Sequence, residues 1–100
     1  MNIHFINGKA DATVEILDLH GKICNVRMLV FNEKPELIDE IDQVLKNIAS
    51  YAKKQKCKEV WIPADRPTPA DEKLKTLGYK NGTLRVHIPG NATEGWRLVL

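Results

Sequence analysis

The chain has 100 residues, of which 43% are apolar and 28% are charged; these values suit one globular domain over residues 1–100 and leave no room for a second. The 15 Lys and Arg residues against 13 Asp and Glu residues give a net charge of +2, too even a balance to predict a nucleic-acid or membrane partner. No apolar run approaches the roughly 20 residues of a membrane helix, and no secretion signal opens the chain. We therefore expect a cytoplasmic protein without a membrane partner.

The first third of the chain predicts a β-meander of three strands. Residues 3–6 are followed by Asn7-Gly8, a strong hairpin-turn signal, and further strands are predicted at residues 14–19 and 23–31. Strict alternation in the third strand places Cys24, Val26, Met28 and Val30 on one face. The other face then carries Ile23, Asn25, Arg27, Leu29 and Phe31. Because one face is fully apolar and the other is mixed, this strand is expected near the centre of a sheet.

Residues 35–56 predict a long amphipathic helix. Pro35 suits its first turn, and Lys53, Lys54 and Lys56 suit its C-terminal end, where the helix dipole favours positive charge. The apolar residues recur at i, i+3 and i+4 spacing and form one stripe: Leu37, Ile38, Ile41, Val44, Leu45, Ile48, Ala49 and Ala52. We expect this stripe to cover one face of the sheet.

The second half of the chain predicts a strand, a short helix and two closing strands. Residues 59–63, EVWIP, read as a buried strand that a right-handed crossover places parallel to the third strand. Thr68 is a predicted helix cap with Pro69 at the first helical position, and Gly78 suits a left-handed C-terminal cap. Residues 83–88 and 96–100 then predict a pair of closing strands.

Together these elements predict an α/β (α+β) domain: a mixed, mostly antiparallel sheet with a central parallel pair, packed against two helices. Ligands of open α/β sheets bind at the carboxyl ends of the parallel strands, so the loops at residues 32–35 and 64–68 form the expected site. Cys24 and Cys57 lie far apart, with no histidine at ligand spacing. They are expected to be reduced and buried, and no metal site is predicted.

The order of elements, together with PADEKLKTLGYK at residues 69–80, resembles the GCN5-related N-acetyltransferase superfamily. The resemblance runs over residues 23–88 and is best over residues 51–80, where a helix and a strand precede a short helix that ends in Leu-Gly-aromatic. It implies that acetyl-CoA would hydrogen-bond along residues 26–31, with its pyrophosphate at the loop that opens the next helix. The cofactor-binding residues implied in this way are Met28, Leu29, Val30, Phe31, Asn32, Lys34 and Arg66.

The sequence departs from the family's pattern at the positions that carry the chemistry. Residues 31–40 contain no glycine, and Glu33 and Glu36 stand where the phosphate groups would arrive. Pro67 replaces the family's usual asparagine. Leu74 stands where a tyrosine often protonates the leaving thiolate, which leucine cannot do. No catalytic residue is therefore assigned, and no counterpart of the family's first helices is expected.

Three functional hypotheses follow from these residues. The main one is an acetyltransferase-like domain that lacks the usual catalysis and works by binding a partner or ligand. The first alternative is an active acetyl-CoA-dependent N-acyltransferase in which solvent protonates the thiolate. The second is a small nucleic-acid-associated protein that uses the lysines of residues 53–58, although no aromatic residues interleave them. The apolar residues 96–100 are expected at a sheet edge, where they would pair with a second copy or another protein.

Overall fold

The computed structural model describes residues 2–7, 10–18, 21–30, 38–64, 70–84 and 92–100. These residues form six strands and two helices. In chain order they are β1 (Asn2–Asn7), β2 (Ala10–Asp18), β3 (Lys22–Val30), α1 (Ile38–Lys54), β4 (Glu59–Pro63), α2 (Asp71–Thr76), β5 (Lys80–Thr83) and β6 (Glu94–Val99).

The strands form one mixed sheet in the order β1-β2-β3-β4-β6-β5. β3 and β4 run parallel at its centre, and every other pair of neighbours is antiparallel. Helix α1 connects the two parallel strands. The predicted α/β class, with a mostly antiparallel sheet, a central parallel pair and two helices, is confirmed.

The last strand does not lie at the edge of the sheet. β6 is inserted between β4 and β5 and pairs with both over residues 95–97, so the prediction of an edge strand at residues 96–100 is wrong. The chain turns back into the sheet, and β1 and β5 are its edges among the described residues. Self-association stays a prediction, but the last strand no longer argues for it. β5 covers residues 80–83, and residues 85–88 of the predicted strand lie outside the described part.

A β-bulge interrupts the alternation that was predicted for β3. Val14 of β2 pairs with Val26, whereas the adjacent Thr13 pairs with Met28. Arg27 is therefore an extra residue that opposes no single residue of β2. The backbone register of β3 against β2 therefore changes by one residue after Val26.

Helix α1 buries the apolar stripe against the sheet. Its buried residues are Ile41, Val44, Leu45, Ile48 and Ala52, and the helix packs against β1, β2 and β4. Lys53, Lys54 and Lys56 at its C-terminal end are exposed. The predicted amphipathic helix is confirmed from Ile38 onward, and residues 35–37 lie outside the described part.

Helix α2 packs on the same face of the sheet as α1. Leu74 and Tyr79 are buried in the same core cluster as the α1 stripe, and Lys73 Nζ lies 4.0 Å from the carboxylate of Asp42 on α1. Ala70 is buried and occupies the N-cap position without a side-chain hydrogen bond. The predicted cap, Thr68-Pro69, lies outside the described residues.

Both helices end in a Schellman motif around a residue in the left-handed conformation. That residue is Gly78 after α2, with φ of +97°, as predicted, and Lys56 after α1, with φ of +61°. The amide that follows each of them donates to a carbonyl five residues earlier, Tyr79 to Leu74 at 2.9 Å and Cys57 to Ala52 at 2.9 Å. Lys56 thus occupies a position that usually favours glycine.

We expect Lys56→Gly to stabilise the protein by about 1 kcal/mol, because glycine removes the steric cost of the left-handed conformation. Urea unfolding of the purified protein measures the change. Lys54→Gly is the matched control. Lys54 is the last residue of α1, and glycine within a helix lowers stability by up to about 1 kcal/mol. Equal destabilisation by both substitutions would contradict the prediction.

Candidate functional site

The two parallel strands separate toward their carboxyl ends. Their pairing consists of Ile23 with Glu59, Cys24 with Val60 and Asn25 with Trp61. β3 then continues to Val30. Among the described residues, β3 has no strand partner on its β4 side after Asn25. This opening, which we call the β3/β4 gap, lies at the edge where ligands of parallel sheets bind.

Two local features separate the strands. The bulge at Arg27 lies two residues after Asn25, the last β3 residue of the parallel pairing, and bulges bend a strand and increase its twist. The end of β4 follows β6, since Pro63 pairs with Gly95 and the Ala64 amide donates to the Glu94 carbonyl at 3.0 Å. The gap therefore follows from the bulge in β3 and from the continued pairing of β4 with β6.

The gap offers backbone hydrogen-bonding groups on one side. Backbone N–H and C=O groups without a partner are strong donors and acceptors, and a free strand edge can take an extended ligand. Three of the predicted cofactor-binding residues, Met28, Leu29 and Val30, lie in this stretch of β3. The other four predicted residues lie outside the described part: Phe31, Asn32, Lys34 and Arg66. The structure therefore describes only the β3 backbone of the predicted site.

The floor of the gap is polar and buried. Asn25 and Trp61, the last parallel pair, have no measurable exposure. Trp61 Nε1 has no hydrogen-bond partner among the described residues, which is costly for a buried donor. The Trp61 ring extends toward β6, where a Cβ atom at Gly95 would lie 2.9 Å from Trp61 Cζ2.

A buried ion pair supports this floor from the β6 side. Arg97 Nε lies 2.6 Å from Glu59 Oε2, with side-chain exposures of 13% and 11%. The guanidinium carbon of Arg97 lies 5.1 Å from the centre of the Trp61 ring, within cation–π range. The sequence analysis missed this pair. Its signal was one charged residue in each of two otherwise apolar runs, EVWIP and WRLVL.

The groups that could transfer protons lie in the core on the helix face. Burial raises the pKa of the Cys24 thiol to about 12, and the charge of Cys57 adds to this effect. Burial and, secondarily, the charge of Cys24 raise the pKa of Tyr79. Leu74, at the family's general-acid position, is also buried in this core. Cys24 and Cys57 are free and buried, as predicted, and Cys24 is a protonated, poor nucleophile at neutral pH.

We expect the free energy of unfolding to fall as the pH rises above 9, the ordinary thiol pKa. The unfolded state then loses the Cys24 proton, whereas the folded state keeps it until about pH 12, so each pH unit in this window lowers stability by roughly 1 kcal/mol. Urea unfolding at pH 8, 9 and 10 measures the slope. Cys24→Ala should make this slope shallower. Tyr79 and Cys57 are present in both the wild type and the variant, so their contribution to the slope is common to both. Equal slopes would contradict the assignment.

The described part of the chain contains neither a cluster of metal-ligating side chains nor a membrane-spanning helix. No group of three His, Cys, Asp or Glu side chains is placed there to hold a metal ion. Neither described helix is long and apolar enough to cross a membrane. His4 pairs with Asp11 across the first hairpin, which gives this histidine a structural contact.

Comparison of the chain with protein-family models, curated proteins and solved structures gives no match. The resemblance to the acetyltransferase superfamily stays a prediction from the sequence.

Proposed function

We propose that this chain is an acetyltransferase-like domain that binds acyl-CoA, through its pantetheine arm, in the β3/β4 gap. The observation that carries the proposal is the end of parallel pairing at Asn25 and Trp61 while β3 continues to Val30. A closed sheet would pair those backbone groups with β4. An extended chain with amide groups, such as pantetheine, fits a strand edge that lacks its neighbour.

Binding of acyl-CoA in the gap does not require the residues of the usual acetyl transfer. Leu74 is buried among apolar side chains. The position that often supplies the general acid therefore carries no proton-donating group here. The sequence also places Glu33 and Glu36 at the loop where the pyrophosphate would lie, and like charges weaken its binding. We therefore expect micromolar or weaker affinity, carried by the backbone of β3.

An active N-acyltransferase remains the second candidate function, because the same gap serves both. Positioning supplies much of the rate in such transfers, and a missing general acid costs roughly two to four orders of magnitude. Slow transfer to an added amine would favour this candidate. Binding without transfer would favour the non-catalytic domain. The free, buried cysteines suit a reducing compartment, so we expect the protein in the cytoplasm.

The test is a calorimetric titration of the protein with acetyl-CoA and CoA, combined with hydrogen–deuterium exchange. We expect binding to slow the exchange of amides between Arg27 and Val30. The amides of β5, Lys80–Thr83, should be unchanged, since this edge strand lies three positions away from β3 in the sheet. Absence of binding at millimolar cofactor, or protection confined to other segments, would overturn the proposal.

A pair of proline variants gives the matched control. Consecutive N–H groups of a strand point alternately to its two edges, so one of Leu29→Pro and Val30→Pro removes a donor that faces the gap. The other removes a donor that faces β2. We expect one variant to lose cofactor binding while keeping the cooperative unfolding of the wild type. Unchanged binding in both folded variants would contradict a backbone site on β3.

A further inference from the structure

A groove of about 370 Å³ lies between the second half of α1, the end of α2 and the last strand. Val99, one of its lining residues, pairs with Glu59 at the start of β4. The groove therefore lies at the amino ends of the parallel strands, opposite to the β3/β4 gap. An inference drawn from it does not depend on the proposed function.

The lining of the groove is largely apolar. Its apolar side chains come from both helices and from β6 and the residue after it: Leu45, Ala49, Leu77, Leu98 and Leu100. Val99 is 75% exposed, which is unusual for a large apolar residue beside a concave surface. A ligand with an alkyl chain would remove this apolar surface from water.

The charged side chains of the groove are both positive. Lys46 and Lys53 line it from α1, about 10 Å apart along the helix axis, and none of the described lining residues is acidic. Asp42 lies 3.0 Å from Lys46 and 4.0 Å from Lys73, so one carboxylate is shared by two cations. Lys53 has no ion-pair partner among the described residues. Lys53 thus adds a positive charge beside the apolar surface of the groove.

A buried hydroxyl adds a second polar feature. Tyr79 lines the groove, is 3% exposed, and its hydroxyl has no hydrogen-bond partner among the described residues. A buried hydroxyl without a partner costs free energy.

We propose that this groove binds a medium-chain fatty acid, with the alkyl chain on the apolar side chains and the carboxylate at Lys53. The volume is at the lower end of the range for small-molecule sites, which suits a linear ligand. The positive charge selects an anionic head group over a neutral one. The apolar lining selects an alkyl chain over a small polar anion.

The test is a calorimetric titration with hexanoate, octanoate and decanoate. We expect affinity to rise about fourfold for each added methylene that the groove buries, because a buried CH₂ contributes about 0.8 kcal/mol. Octanol should bind more weakly than octanoate. In NMR spectra, octanoate should shift the amide signals of Leu77, Leu98 and Leu100 but not those of Arg27 to Val30. Affinity independent of chain length, or no binding at millimolar octanoate, would overturn the proposal.

Three variants locate the ligand. Ala49→Phe should fill the groove and abolish binding of the whole series, and Lys53→Gln should reduce the affinity for octanoate to that for octanol. Lys54→Gln removes a neighbouring charge that does not line the groove and should change nothing. Equal losses in Lys53→Gln and Lys54→Gln would show that general positive charge attracts the ligand. That outcome would overturn the site even if Ala49→Phe failed to fold.

Discussion

Gly95→Ala is expected to lower the free energy of unfolding by about 3 kcal/mol or more, or to prevent folding. A Cβ atom at Gly95 would lie 2.3 Å from the Ile62 carbonyl oxygen, 2.9 Å from Trp61 Cζ2 and 3.0 Å from Pro63 Cα. Two of these atoms belong to the backbone of β4, which cannot move without breaking its pairing with β6. Excess packing costs typically 1–3 kcal/mol and more against a rigid neighbour. For a domain of this size, thermal unfolding should shift by roughly 10 °C or more.

Gly82→Ala is the matched control for this substitution. Gly82 pairs with Gly95 across β5 and β6, but a Cβ atom there would meet Arg97 Nη1 at 3.0 Å. This single contact is with a side-chain atom, and a shift of a few tenths of an ångström relieves it, whereas the contacts at Gly95 include the β4 backbone. We expect a change of less than about 1 kcal/mol. Similar losses in both variants would mean that the loss of glycine itself, and not the contact with β4, causes the effect.

The second large effect is expected for Arg97→Ala, which should cost about 2–4 kcal/mol of stability. The substitution leaves Glu59 as a buried carboxylate without its cation. It also removes the hydrogen bond from Arg97 Nη2 to the Thr83 carbonyl, 2.9 Å, and the contact with Trp61. Breaking a buried ion pair at one partner costs roughly 3–5 kcal/mol, and the residual exposure of this pair reduces that value. Urea unfolding measures the loss.

A double-mutant cycle tests whether the pair itself is responsible. Glu59→Gln combined with Arg97→Met replaces both charges, and this variant should be more stable than Arg97→Met alone, because no charge is left buried alone. The exposed pair of Lys75 and Glu72, 3.3 Å apart with side-chain exposures of 57% and 86%, is the control. Its removal should change stability by at most about 0.5 kcal/mol. A similar cost at both pairs would contradict a buried role for Arg97.

The sequence predicted where the candidate site lies, but not the bulge and the side-chain contacts that form it. The order of elements predicted parallel neighbours, and the carboxyl ends of such strands mark the site. The register of β2 and β3 was needed to find the extra residue at Arg27, because a run of alternating apolar residues does not show where a bulge lies. Trp61 was predicted as a buried strand residue, which is confirmed, but its neighbour Arg97 depends on the position of β6.

The sequence by itself determined the elements whose periodicity or turn chemistry is local. The α1 stripe, the pairing of β1 with β2 and the left-handed cap at Gly78 each depend on residues a few positions apart. Only the tertiary structure decided the insertion of β6 between β4 and β5. The same holds for the Glu59–Arg97 pair and for the groove between α1, the end of α2 and β6. These features join residues far apart in the chain. Their contacts depend on which strands become neighbours, and local propensity does not contain that information.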